Sequence, residues 1–292
     1  MKEVTKMDIE HIANIKPGQD GAIWNDYLFR FDDQGNCFVY DIKNLKESNE
    51  TLKELDWFIL DKAQIIVPHC NSVVFGNEYY DKNDEFPLLY CNIYNNYANS
   101  DDKLKGTCCV YRITRNRNTF SSQLVQIIKI GFVENETLWK SENREDVRPY
   151  GNFVIDREQG LYHAFTMIDT PFITRYFSFK LPKISDGTYD KKYGVNIVIL
   201  TAKDIENSFD CEYHRYIQGA CTNKGKIYSL EGFYHGNENE PVLRIINPTT
   251  KKQELFVEFS SFGLVNEPEF IDFKDGTCYY GDGSGNLYTI EF

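Results

Sequence analysis

An all-β fold, a single five-bladed β-propeller over residues 1–292, is what the sequence predicts, and three observations predict it. A short stretch recurs five times, beginning at Gln19, His69, Tyr150, Gln218 and Glu267. Each copy opens on a polar side chain, continues through small or polar residues and precedes an aromatic-rich apolar run. The innermost strand of a blade has this character because backbones crowd around a central channel and its polar end faces the channel mouth. The second observation is composition: 21 Phe and 20 Tyr suit half-buried pleated strands. The third is an internal match. Asp32, Gly35, Asn36, Phe38, Asp41 and Ile42 correspond to Asp282, Gly285, Asn286, Tyr288, Glu291 and Phe292, each pair 250 residues apart.

That match orders the ring, because it makes the C-terminal residues the third strand of a blade that lacks its fourth. The unassigned strand is residues 4–15, where Met7, Ile9, Ile12 and Ile15 alternate with one irregular step. The N-terminal strand is therefore expected to complete the C-terminal blade, which removes two open sheet edges.

Blade 1 is expected over 19–64, with strands beginning near Gln19, Tyr27, Cys37 and Asp56 and a hairpin turn at 32–36. Leu45, Leu52 and Leu55 stand at near-helical spacing and predict a short surface helix before the last of these strands. Blade 2 follows over 65–132, from His69, Pro87, Cys108 and Gln123. Blade 3 covers 148–200, from Tyr150, Gly160, Arg175 and Val195. Blade 4 covers 214–260, from Gln218, Ile227, Pro241 and Glu254, and blade 5 covers 261–292 together with 1–15. The polar insertion near Asn95 and the length of blade 3 leave room for a sixth blade.

Lys and Arg number 32 against 44 Asp and Glu, a net charge of −12 with no basic run. Such a body repels phosphate backbones and anionic lipid, which argues against nucleic acid and membrane surfaces as partners. No apolar run approaches the ~18 residues of a membrane span. Residues 1–10 alternate charged and apolar side chains without the apolar centre of a signal peptide, so a cytoplasmic monomer is expected unless a leader was removed. The eight cysteines include no C-x-x-C pair, which points to buried thiols and not to a zinc set.

The residues expected to converge at the channel mouth are Gln19, Asp20, His69, Asn71, Tyr150, Asn152, Gln218, Glu267 and Glu269. Amides, a phenol, an imidazole and carboxylates suit a small polyhydroxylated or amide-bearing ligand. In layout the chain resembles the five-bladed propeller superfamily, which includes glycoside hydrolases, lectins and calcium-dependent nucleotidases. The expected function is non-catalytic binding, of a small polar molecule or glycan at the mouth or a protein on the loop face; the alternative, which the resemblance implies, is a glycoside hydrolase. In a hydrolase Asp20 and Glu269 are the candidate base and acid. No cofactor is expected; a divalent cation such as calcium held by the same acids is the open alternative. The run 281–286 (Gly-Asp-Gly-Ser-Gly-Asn) reads as a hairpin turn, because its blade 1 counterpart is one and no helix follows to seat a phosphate.

Overall fold

The computed structural model describes residues 7–43, 45, 51–93, 107–130, 153–169, 172–212, 214, 216–236 and 238–292. Among them the chain forms β1 (Asp8–Asn14), β2 (Gly21–Trp24), β3 (Tyr27–Phe31), β4 (Asn36–Asp41) and β5 (Asp56–Ile59), then one helical turn, α1 (Ala63–Ile66). Next come β6 (Val73–Phe75), β7 (Leu89–Ile93), β8 (Thr107–Asn116), β9 (Thr119–Ile130), β10 (Phe153–Asp156), β11 (Leu161–Asp169) and β12 (Phe172–Lys180). An inserted pair, β13 (Thr188–Asp190) and β14 (Val195–Leu200), precedes β15 (Asn207–Glu212). The chain ends with β16 (Ile217–Asn223), β17 (Lys226–Glu231), β18 (Val242–Asn247), β19 (Lys252–Glu258), β20 (Pro268–Lys274), β21 (Thr277–Asp282) and β22 (Asn286–Glu291).

These strands pair into five sheets, so the described residues form five blades, and the insertion near Asn95 lies outside them. The hairpins form where the side chains dictate. Asp32 accepts the backbone N–H of Gln34 and of Asn36 and the side-chain amide of Asn36, while Gly35 takes a φ of 82° that suits glycine. Asp282 repeats this with Ser284, Asn286 and Gly285, so the residues matched 250 apart make the same turn. In blade 5 the strand order is β1-β22-β21-β20. β1 is antiparallel to β22 from Asp8 opposite Glu291 to Asn14 opposite Asn286, with a register shift between His11 and Ala13.

Period-2 alternation sends apolar side chains to both faces of each blade, and they meet those of the neighbouring blade. Phe29, Phe31 and Val39 of blade 1 pack with Phe75 and Leu89 of blade 2. The opposite face of blade 2, through Val74 and Tyr90, meets Phe153 and Phe177 of blade 3. Tyr176 and Phe165 then meet Ile227 and Ile246 of blade 4, and Leu230 and Leu243 meet Ile271 and Tyr280 of blade 5. The last gap is filled by Phe270, Leu287 and Ile12 against Ile23, Leu28 and Tyr40 of blade 1. Every gap between consecutive blades, the one between last and first included, thus has its own apolar cluster.

Blade 3 departs from the expected boundaries. The strand at Val195 does not complete it: β14 leaves blade 3 and lies parallel to β9, extending blade 2 to the order β13-β14-β9-β8-β7-β6. The outer strand of blade 3 is β15, antiparallel to β12. An outermost strand is half solvated, so its sequence, Asn-Ser-Phe-Asp-Cys-Glu, buries Phe209 alone and reads as a loop. The apolar Val-Asn-Ile-Val-Ile-Leu is the more conspicuous strand signal but belongs to the neighbour. Lys62, at the start of α1, donates from Nζ to the Tyr193 carbonyl and ties the insertion to blade 1. Residues 51–55 are not helical, in contrast to the helix expected over 45–55.

Candidate functional site

Five inner strands, β2, β6, β10, β16 and β20, surround the channel in cyclic contact. Side chains on these strands stitch one blade to the next. Asp20 accepts the N–H of Gly21 through Oδ1 at 2.7 Å and the N–H of Val73, on blade 2, through Oδ2 at 2.8 Å. Asp272 does the same between blades 5 and 1, accepting from Ile23 N at 2.8 Å. Ser72 donates to the Phe153 carbonyl, and Thr222 donates to the Ile155 carbonyl at 2.8 Å. Residues near the starts of different inner strands thus meet one another, as do residues near their ends, so the strands run in one direction and their N-terminal ends share one mouth.

At that mouth the pairing is irregular in three blades. Ile217 pairs with Glu231 and Gly219 with Leu230, so Gln218 is an extra residue in a β-bulge. Pro268 pairs with Asp282 and Phe270 with Gly281, so Glu269 is extra in the same sense. In blade 1, Gln19 N donates to the Phe31 carbonyl while Phe31 N donates to the Asp20 carbonyl, two residues against one. A bulge redirects a side chain that regular pleating would send elsewhere. Glycine keeps these crossings close: a Cβ on Gly219 would lie 2.4 Å from the Glu269 carbonyl oxygen.

A cavity of about 540 Å³ opens here, bordered by Gln19, Asp32, Asp33, Tyr234, Glu267 and Glu269 among others. Glu267 is half-buried, its Oε1 accepting from Gln218 Nε2, and burial raises its pKa from 4.5 to about 7. Glu269 is only 2% exposed, and its Oε2 has no hydrogen-bond partner. Burial lifts its pKa well above the ordinary carboxyl range, and the neighbouring Glu267 lifts it further, against the pull of Arg30. Arg30, fully buried on β3, donates from Nη2 to the carbonyls of Gly18 and Asp282, and leaves Nε and Nη1 unpaired.

The expected site residues therefore separate. Gln19, Glu267 and Glu269 border the cavity, and Gln218 stands behind Glu267. Asp20 is outside the described lining; burial raises its pKa in spite of its two backbone donors. Asn71 accepts from the Asn92 amide, and His69 is half-buried with its pKa lowered by burial and raised in part by Asp33. Neither belongs to the described lining. Tyr150 and Asn152 lie outside the described residues. Sequence reasoning missed Asp33 and the buried Arg30. The signal for the acids was the polar opening of the recurring stretch; which way they point depends on a bulge that only strand pairing shows.

Among the described residues no group of three or more His, Cys, Asp or Glu is arranged to hold a metal ion. Also among them, no helix is long and apolar enough to cross a membrane.

No family model matches the sequence, and no curated protein matches it. Solved structures similar to this chain include a glutaminyl cyclase from Myxococcus xanthus, 10% identical with a TM-score of 0.48, the match covering 97% of this chain and 98% of that one. The WD40 β-propeller domain of Doa1 is 8% identical with a TM-score of 0.45, covering 98% of this chain and 97% of that one. Saccharomyces cerevisiae Sqt1 is 8% identical with a TM-score of 0.37, covering 90% of this chain, which spans 55% of Sqt1. Likenesses at this level concern architecture and carry nothing about activity.

Proposed function

We propose that the protein is a non-catalytic binding propeller that holds a small polar molecule, or one residue of a glycan, in the cavity at the N-terminal ends of its inner strands. One observation carries this reading: Glu269, set by a bulge at the cavity floor, keeps a buried carboxyl oxygen without a partner. An unsatisfied buried acceptor costs about 1–3 kcal/mol, and a ligand donor offsets that cost. A protein docking on the loops around this mouth is the second form of the same reading, supported by the exposed Tyr234 on the rim.

The hydrolase alternative needs two carboxyl groups facing a scissile bond. Asp20 has each oxygen engaged by a backbone N–H, which favours binding over catalysis. A reducing compartment such as the cytoplasm suits the cysteines, which are all free and, except Cys211, buried.

The test is a saturation-transfer NMR screen of sugars and nucleotides, with calcium salts followed by calorimetry, against the parent and Glu269→Gln. The reading expects at least one saturable ligand of the parent that the variant loses. Release of reducing sugar from aryl glycosides by the parent, absent in Glu269→Gln, would replace binding by hydrolysis.

A further inference from the structure

The mouth cavity is one-sided in charge. Asp32, Asp33, Glu267 and Glu269 border it, and no Lys, Arg or His does so among the described residues. The acidic composition of the chain does not by itself produce this. A cavity of about 530 Å³ at the opposite ends of the same strands carries Arg157 bonded to Asp272 at 2.9 Å and Lys274 bonded to Asp26 at 3.2 Å. There each cation meets its acid. At the first mouth the buried Arg30 attracts Glu269 but is not in the described lining and bonds to neither glutamate, donating from Nη2 to two carbonyls, and Asp32 spends both oxygens on its turn.

Two independent features single out the floor. Glu269 is more than nine-tenths buried, borders the cavity and has an unpartnered Oε2. It is also the bulged residue of β20, so local strand geometry aims it where regular pairing would not. Above it the half-exposed Tyr234 offers an aromatic ring at the rim, a surface that attracts cations.

We infer that this cavity takes a small organic cation, a primary ammonium whose N–H groups donate to Glu269 Oε2 and approach Glu267, with its carbon skeleton toward Tyr234. The inference rests on the proposed reading of this cavity as the ligand site and names the ligand's class. An ammonium has three donors and no acceptor, which complements a floor that offers carboxyl oxygens. A volume of about 540 Å³ suits an organic molecule better than a bare ion. Binding favours the ionised carboxylates and so expels protons. The charged and titratable groups around Glu269 are Glu267, Arg30, Asp20, Asp282 and Tyr280, with Asp32 and Asp33 on the same lining and His69 beside Asp33.

Calorimetric titration of the full chain with putrescine against butane-1,4-diol, and with glucosamine against glucose, tests this. At least one amine is expected to bind saturably and its hydroxyl counterpart at least about tenfold more weakly. Glu269→Gln lowers the amine affinity by a similar factor, while Glu267→Gln, a half-buried and structurally milder change, lessens its rise with pH, which linkage limits to about tenfold per unit for each proton released. Equal binding of amine and hydroxyl probes, or binding of calcium chloride with no amine, overturns the inference and leaves the cavity as a ligand site. Binding of none of these probes overturns both.

Discussion

Asp20 and Glu269 are both buried acids at the start of an inner strand, and the difference between them is in their partners. Asp20 joins two blades through backbone N–H groups, so its carboxyl is structural. Glu269 has a free oxygen and a like-charged neighbour, and in that setting the proton is held more tightly. Glu267 shows the same effect at lower burial, and its sign gives a stability prediction. Its folded pKa of about 7 lies above its ordinary 4.5. The stability linked to the protonated group is therefore complete below about 4.5 and is lost as pH rises through about 7. The full shift corresponds to roughly 3 kcal/mol, which solvent screening of a half-exposed group reduces to on the order of 1 kcal/mol. Urea unfolding of parent and Glu267→Gln at a series of pH values is expected to show that loss in the parent and not in the variant. Parallel pH curves for the two proteins would remove Glu267 as its source.

Among the elements, β1 is the one whose role exceeds its size. It covers the outer edge of β22, and Ile12 and Ile15 beside it fill the gap between blades 5 and 1, with Met7 in the gap between blades 4 and 5. Each such side chain contributes about 1.5–3 kcal/mol when buried. Removing residues 1–15 is thus expected to lower the melting temperature of the whole protein by on the order of 10 °C; a truncated chain that melts with the parent would show that β1 is dispensable. This element was legible in the sequence because the match between Asp32 and Asp282 left blade 5 without a fourth strand, and Ile9, Ile12 and Ile15 supplied one. β15 was not legible, since an outer strand needs apolar side chains on one face only and β14 offered a stronger pattern nearby. The lining of the candidate site was legible in part. Polar residues at strand starts pointed to Glu267 and Glu269, whereas the commitment of Asp20 to Val73 and the placement of Arg30 depend on contacts between blades that no local pattern contains.

At the scale of the molecule, five inner strands form a closed ring, tied at four junctions by Asp20, Ser72, Thr222 and Asp272 and at the fifth by Gln218 with Glu267, and the cavity is the place where that ring presents acids with no basic side chain in the described lining. Groups that weaken a fold are kept where they serve a ligand. The most direct test of this account is the melting temperature of Glu269→Gln beside that of the parent near neutral pH, both without ligand. Glutamine keeps the shape and has no ionised form to bury, so the variant is expected to melt as high as the parent or several degrees higher while losing ligand binding. A variant that melts well below the parent would contradict the account, because Glu269 would then be a structural partner of Arg30, as Asp20 is of Val73, and not a group held ready for a ligand.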